Sequence, residues 1–301
     1  MSRRRVQAVL LIVPALWGLV FVGINKLLDE LNVFQIVSLR YGMIVVAFGV
    51  TFVVAARTRP VVHRSRWRLV IYAGLMGVPL SQLGIVYAQR FLAPTLAAIL
   101  VTLAPAVTAV VAALILNQRM SRRQGVGFVV ALVGAIVVIV LGAGGDASFE
   151  ISNVAGAAVG LITPVAWALY TVALKQMAAD QSTFGTVGLT LLVGSLFLIP
   201  FVPTAASGAT RIGGGEWAWI AYLAVGGTFI AYLLWYWSLK YLDASETAAY
   251  LYLVPVFALG WSLVLLGEAP SLGALAGGVV VITGVWMTQT AGRRTAVGGS
   301  P

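Results

Sequence analysis

Arg40 is the one strongly charged residue well inside a long apolar run, about seven residues, or roughly 10 Å of helix, from the nearer end of that run. A guanidinium at such a place is costly, and its rigid fork of donors suits either a carboxylate on a bound molecule or a gate. Snorkelling towards Asp29 and Glu30 is the structural use that competes with both. Trp17 and Trp167 sit in mid-run, three residues after Pro14 and Pro164. Tryptophans that anchor a chain to a bilayer surface collect at run ends instead, as Trp67, Trp217, Trp219, Trp237 and Tyr241 do. The mid-run pair can stack on a bound molecule, close a cavity, or pack. Gln82 and Tyr232 offer neutral polar atoms at matching depths, with interhelical hydrogen bonding as the alternative. Thr102 and Tyr252 are the deepest polar members of two stripes, Thr95, Ala98, Thr102, Pro105 and Ser245, Ala248, Tyr252, Pro255, each on one helix face. Pro14, Pro105, Pro164 and Pro255 each withhold a backbone donor, which frees a carbonyl within an apolar helix or simply kinks it.

Catalytic chemistry has no comparable set. The chain contains no cysteine, which excludes disulfides, thiol nucleophiles and thiolate metal sites, and its single histidine, His63, lies in a basic interval where it reads as a solvated surface group. Glu246 follows Asp243 by three residues, the spacing of a capping box at a helix start. No other carboxylate approaches mid-run, so proton coupling has no evident carrier. With no nucleophile, base or metal cluster, the expectation is a non-enzyme without metal or cofactor.

The elements that must hold these residues are apolar helices. Of 301 residues 60% are hydrophobic and 9% charged, and the mean hydropathy is +0.99. A soluble fold would expose apolar surface at a cost of about 25 cal/mol per Å². About 20 apolar residues cross a bilayer core, and the pattern predicts ten spans, at about 8–27, 33–55, 68–88, 95–116, 124–142, 154–174, 183–203, 217–238, 245–266 and 272–290. The formal charge of +10 then explains itself by placement rather than by nucleic acid. With a cytoplasmic N-terminus, Arg3, Arg4, Arg5, Arg57, Arg59, Arg64, Arg66, Arg68, Arg119, Arg122, Arg123, Lys175, Lys240, Arg293 and Arg294 lie inside, whereas Lys26, Arg90 and Arg211 lie outside. That is the positive-inside asymmetry.

Sliding the chain by 150 residues aligns Pro14 with Pro164, Trp17 with Trp167, Phe34 with Phe184, Trp67 with Trp217, Tyr72 with Tyr222, Pro105 with Pro255, Gly127 with Gly277 and Gly134 with Gly284. Each half therefore holds five spans, and an odd number inverts the second half relative to the first. Such inverted repeats build carriers whose site lies near mid-membrane at the pseudo-two-fold axis. Residues 1–150 form the first five-helix repeat and 151–301 the inverted second, ending in a short disordered Gly-Ser-Pro tail.

The stretches Thr95 to Val140 and Ser245 to Met287, each with a mid-helix Pro, a short turn and a Gly-rich last helix, resemble the paired signature of EamA-type permeases of the drug/metabolite transporter superfamily. The second stretch carries the Gly267, Glu268 end, where the first reads Asn117, Gln118 and so departs from the family pattern. Arg40 is similar to the family's usual helix-two arginine; its repeat mate is Thr190. The resemblance implies an all-α integral membrane protein of the bacterial inner membrane with ten transmembrane helices, both termini cytoplasmic. It implies a secondary transporter exporting small amphiphilic metabolites, amino acids above all, by alternating access. Its expected partners are a small-molecule substrate and the lipid bilayer, as a monomer or weak dimer, with no nucleic acid. The same fold with other cargo (lipid-linked, nucleotide-sugar or drug) is the alternative, ahead of a membrane-embedded enzyme.

Overall fold

Runs of Leu, Val, Ala and Ile fold as helices here because a backbone deprived of water must satisfy its own hydrogen bonds. A computed structural model of the chain describes residues 2–54, 64–91, 101–118, 120–142, 154–179, 181–266 and 271–295. His63, Thr95, Ala98, Gly267, Glu268 and the tail from 296 lie outside them. Helices are α1 (Arg3–Leu10), α2 (Ile12–Leu28), α3 (Val33–Val54), α4 (Trp67–Leu75), α5 (Gly84–Phe91), α6 (Ala104–Leu116), α7 (Arg122–Gly142) and α8 (Val154–Met177). The second half continues with α9 (Thr183–Leu196), α10 (Val202–Ala209), α11 (Gly214–Ala224), α12 (Ala231–Leu239), α13 (Ala244–Ala248), α14 (Val254–Leu266) and α15 (Leu272–Thr295). Two wide π-helical segments, Met76–Leu83 and Val225–Ile230, join α4 to α5 and α11 to α12, and a tight 3₁₀ segment, Ala249–Leu253, joins α13 to α14.

Among the described residues, five helical runs are long and apolar enough to cross a bilayer, or six if Thr183–Leu196 and Ile199–Ala209, bent by 58°, form one span. Pro200 and Pro203 sit at that bend and account for it. Ala104–Leu116 and Leu272–Thr288 are apolar but shorter. The first run begins at Arg3, so the basic N-terminal residues are helical rather than a loose leader to a span starting near residue 8. Large apolar side chains such as Val46, Val53, Leu114, Val264 and Leu272 remain exposed around the outside, the surface that lipid would cover.

The offset of 150 is also present in three dimensions. Gly77 lies against the ring of Tyr170, where a Cβ would come within 2.6 Å, and Gly227, its mate, lies against Val20, the mate of Tyr170. Helices α7 and α15 are mates that pack on each other: a Cβ on Gly134 would stand 2.6 Å from the Val281 nitrogen, and one on Gly284 would overlap the backbone of Ala131. Gly127 meets Thr288 while Gly134 meets Val281, so residue numbers rise along one helix as they fall along the other. Mates packed antiparallel in this way are related by a two-fold axis perpendicular to the helices.

At the end where the chain begins, polar contacts join the two halves. Arg3 Nη2 donates to Glu246 Oε2 at 2.6 Å, Gln7 Nε2 to Glu246 Oε1 at 3.1 Å, and Gln118 Nε2 to Asp243 Oδ1 at 3.2 Å. Lys175 caps the carbonyls of Leu239 and Leu242, each at 2.7 Å. Lys240 donates to the Gln181 carbonyl at 2.7 Å, and burial holds its ammonium below the ordinary lysine pKa. The capping-box expectation for Glu246 is corrected here. Asp243 occupies the N-cap position, but its side chain makes no capping bond and accepts from Gln118 instead, while Glu246 is drawn to the full guanidinium charge of Arg3.

Candidate functional site

Arg40 lies about a third of the way along α3 and is 2% exposed, so it does not snorkel to Asp29 or Glu30. Its Nε donates to Thr228 Oγ1 at 2.6 Å, Nη1 to Gln82 Oε1 at 3.0 Å, and Nη2 to the Gly227 carbonyl at 3.3 Å. All three acceptors are neutral, and all belong to the two π-helical segments, Gln82 to the first and Gly227 and Thr228 to the second. Wide turns of this kind shift the backbone ladder by one residue and recur at functional sites. In the second segment the Gly227 carbonyl also accepts from Trp17 Nε1 at 2.9 Å, and Thr228 Oγ1 donates to the Leu223 carbonyl at 2.9 Å. Glycine is required at 227, since any Cβ would collide with Val20 on α2.

Trp17 and Trp167 meet edge to face with ring centroids 5.1 Å apart. Because they are repeat mates, their contact lies on the pseudo-two-fold axis. Trp235 joins them at 5.3 Å from Trp17 and 5.6 Å from Trp167, and Tyr232 stands 5.5 Å from Trp167. Above this aromatic cluster, on the side away from Arg3, is a cavity of about 90 Å³, room for several waters or part of a small organic molecule. Along α2 its lining residues run from Trp17 to Ile24, and Arg40, Gln82, Trp167 and Tyr232 line it as well.

Five of the residues singled out in the sequence thus converge on one cavity: Trp17, Arg40, Gln82, Trp167 and Tyr232. Thr102 and Tyr252 do not line it. Val101 and Ala104 do so on the fourth predicted span, and Leu251 and Val254 on the ninth. The reason on the ninth is the 3₁₀ segment, which advances each residue by about 120° and rotates Tyr252 off the face a regular helix would give it. Tyr252 is fully buried beside Phe128 instead, at a ring distance of 6.1 Å. Pro14, Pro105, Pro164 and Pro255 are all buried. Pro14, Pro105 and Pro255 lie within three residues of a helix break, whereas Pro164 sits within the uninterrupted α8. The carbonyl of Leu251, which Pro255 cannot serve, accepts from the Val254 N–H. The carbonyl that does face Arg40 is Gly227's, on a helix without proline. Thr228, Trp235 and Gly227 went unmarked in the sequence; the Gly226, Gly227, Thr228 run was the only local signal. Among the described residues no group of His, Asp or Glu is arranged to hold a metal.

Comparison with known proteins agrees with this architecture. The EamA-like transporter family matches residues 6–140 and again 154–290. An uncharacterized transporter of Archaeoglobus fulgidus is 26% identical over 93% of this chain and 96% of its own length. A probable terminal-alkyne amino-acid exporter of Streptantibioticus cattleyicolor is 31% identical over 77% of this chain and 78% of its own. A probable amino-acid metabolite efflux pump of Salmonella typhimurium is 28% identical, covering 92% of each. A crystal structure with TM-score 0.76 at 20% identity covers 97% of this chain and all of its own, a likeness of fold. Two family matches, one on each half and together spanning nearly the whole chain, agree with contacts that repeat at the same offset: the chain belongs to the EamA-like transporter family.

Proposed function

We propose that the chain is a secondary transporter of ten membrane-spanning helices in two inverted five-helix halves, which exports small amphiphilic metabolites, amino acids first among them, by alternating access. The observation that carries this reading is the cavity at the Trp17–Trp167 contact, walled by both halves and holding a buried Arg40 with only neutral partners. Carriers with repeated halves bind cargo at that place. The names of two relatives, an amino-acid exporter and an amino-acid metabolite efflux pump, support the cargo class.

The basic residues favour a cytoplasmic N-terminus in a bacterial inner membrane. On that orientation the Arg3–Glu246 pair lies at the cytoplasmic end, and the cavity lies on the outer side of the aromatic cluster, along α2. Efflux of a preloaded mixture of labelled amino acids from proteoliposomes tests the reading. One class should leave in wild type and be retained with Trp167→Ala, both proteins having been shown to fold. Retention of every amino acid by the wild type, with and without an imposed gradient, would overturn the amino-acid assignment.

A further inference from the structure

Hydrogen-bond capacity around Arg40 is lopsided. A guanidinium has five N–H donors, and bonds to Thr228, Gln82 and Gly227 take three of them, leaving one on Nη1 and one on Nη2. Trp167, whose side chain lines the same cavity and is 8% exposed, has a buried indole N–H with no partner. The oxygens around Arg40, by contrast, are all neutral, and the nearest are each engaged at least once. The Gly227 carbonyl receives both Arg40 and Trp17, which fills its two lone-pair positions. Thr228 Oγ1 receives Arg40 and donates to Leu223, Ser81 Oγ receives Gln82 and donates to Gly77, and Gln82 Oε1 receives Arg40. Among the described residues no carboxylate reaches the cavity; the one ion pair is Arg3–Glu246 at the far end.

A buried cation left with spare donors and no anion is completed by water or, with its charge neutralised as well, by an anion that binds there. We infer that the cavity reads the carboxylate of its cargo, through Arg40 and the Trp167 N–H, and leaves the α-amino group unread, so that its substrates include small monocarboxylic acids with an apolar tail and no amine. This inference rests on the transporter reading and narrows it. An amino acid is then bound as an acid whose ammonium is tolerated, facing the rings of Trp17, Trp167 and Tyr232 and neutral oxygens but no carboxylate.

Three molecules with one tail separate the groups: leucine, 4-methylpentanoate, which lacks only the amine, and 3-methylbutylamine, which lacks only the carboxylate. The wild-type chain in nanodiscs is titrated with each by tryptophan fluorescence, and each is tested in proteoliposomes as a competitor of labelled-leucine counterflow. Expected are affinities for leucine and 4-methylpentanoate within about threefold of each other and at least about 30-fold weaker binding of the amine, the scale of a lost charged hydrogen-bond pair. Arg40→Gln should reduce both acids to the level of the amine. Trp167→Phe, which keeps the apolar ring, should weaken the acids by about three- to tenfold and leave the amine unchanged. Leucine counterflow that the amine blocks and 4-methylpentanoate does not would overturn the inference and leave the transporter reading standing. Acid binding without counterflow of any of the three would keep the anion site and overturn the transporter reading. Failure of 4-methylpentanoate to bind the wild type under either assay would overturn the inference outright.

Discussion

Thr228 and Gln82 hold Arg40 in the orientation the cavity needs, each through a single hydrogen bond to a different nitrogen. Neutral acceptors steady a guanidinium without neutralising it, whereas a carboxylate at the same place would turn the site into an internal ion pair. Thr228→Val keeps the volume and removes the acceptor. Leucine counterflow by this variant should show a KM raised about tenfold, while Thr228→Ser stays near wild type, the difference a single hydrogen bond to a charged group makes. Equal KM values for the two variants would show that Arg40 is positioned by other contacts. Arg40 was legible in the sequence because burying a charge in an apolar run is too costly to be incidental. Thr228 was not, since threonine is tolerated throughout membrane helices and commonly bonds its own backbone, as Thr108, Thr190 and Thr283 do here.

At the scale of elements, helix approach is set by glycine. A Cβ on Gly284 would overlap the backbone of Ala131, and a backbone cannot rotate away, whereas one on Gly42 meets nothing within 4 Å. Gly284→Ala should therefore destabilise the α7–α15 pair by about 1–3 kcal/mol and lower the melting temperature in detergent. Gly42→Ala should be neutral or stabilising by up to about 1 kcal/mol through helix propensity. Equal melting temperatures for the two variants would mean that α7 and α15 separate freely. Repeat pairing was legible because Pro, Trp and Gly are chemically distinctive and keep one offset. Helix phase was not. The π segments and the 3₁₀ turn at Ala249–Leu253 change the angle per residue without a sequence signature strong enough to reveal it, which is why Leu251 and Val254 face the cavity and Tyr252 does not.

For the whole molecule, the Arg3–Glu246 pair ties the first helix of one half to a helix start of the other, with Arg3 33% and Glu246 4% exposed. Because the chain has no cysteine, a single reporter can be introduced cleanly. Leu10→Cys, at a position that is fully buried, should react slowly with a maleimide. Adding Glu246→Gln should raise that rate roughly fivefold, as expected when a two-state closure loses about 1 kcal/mol; an unchanged rate would place the closing contacts elsewhere, in the aromatic cluster. The solitary Arg40 has one more consequence. Its charge stays with the protein and returns to its starting place in every cycle, so the current a cycle generates is the charge of the cargo alone. Leucine, a zwitterion, would cross without regard to voltage. An acid without an amine would carry one negative charge, and a membrane potential of 100 mV, worth about 2.3 kcal/mol per charge, would drive it to a gradient of about 50-fold with no ion gradient coupled to it.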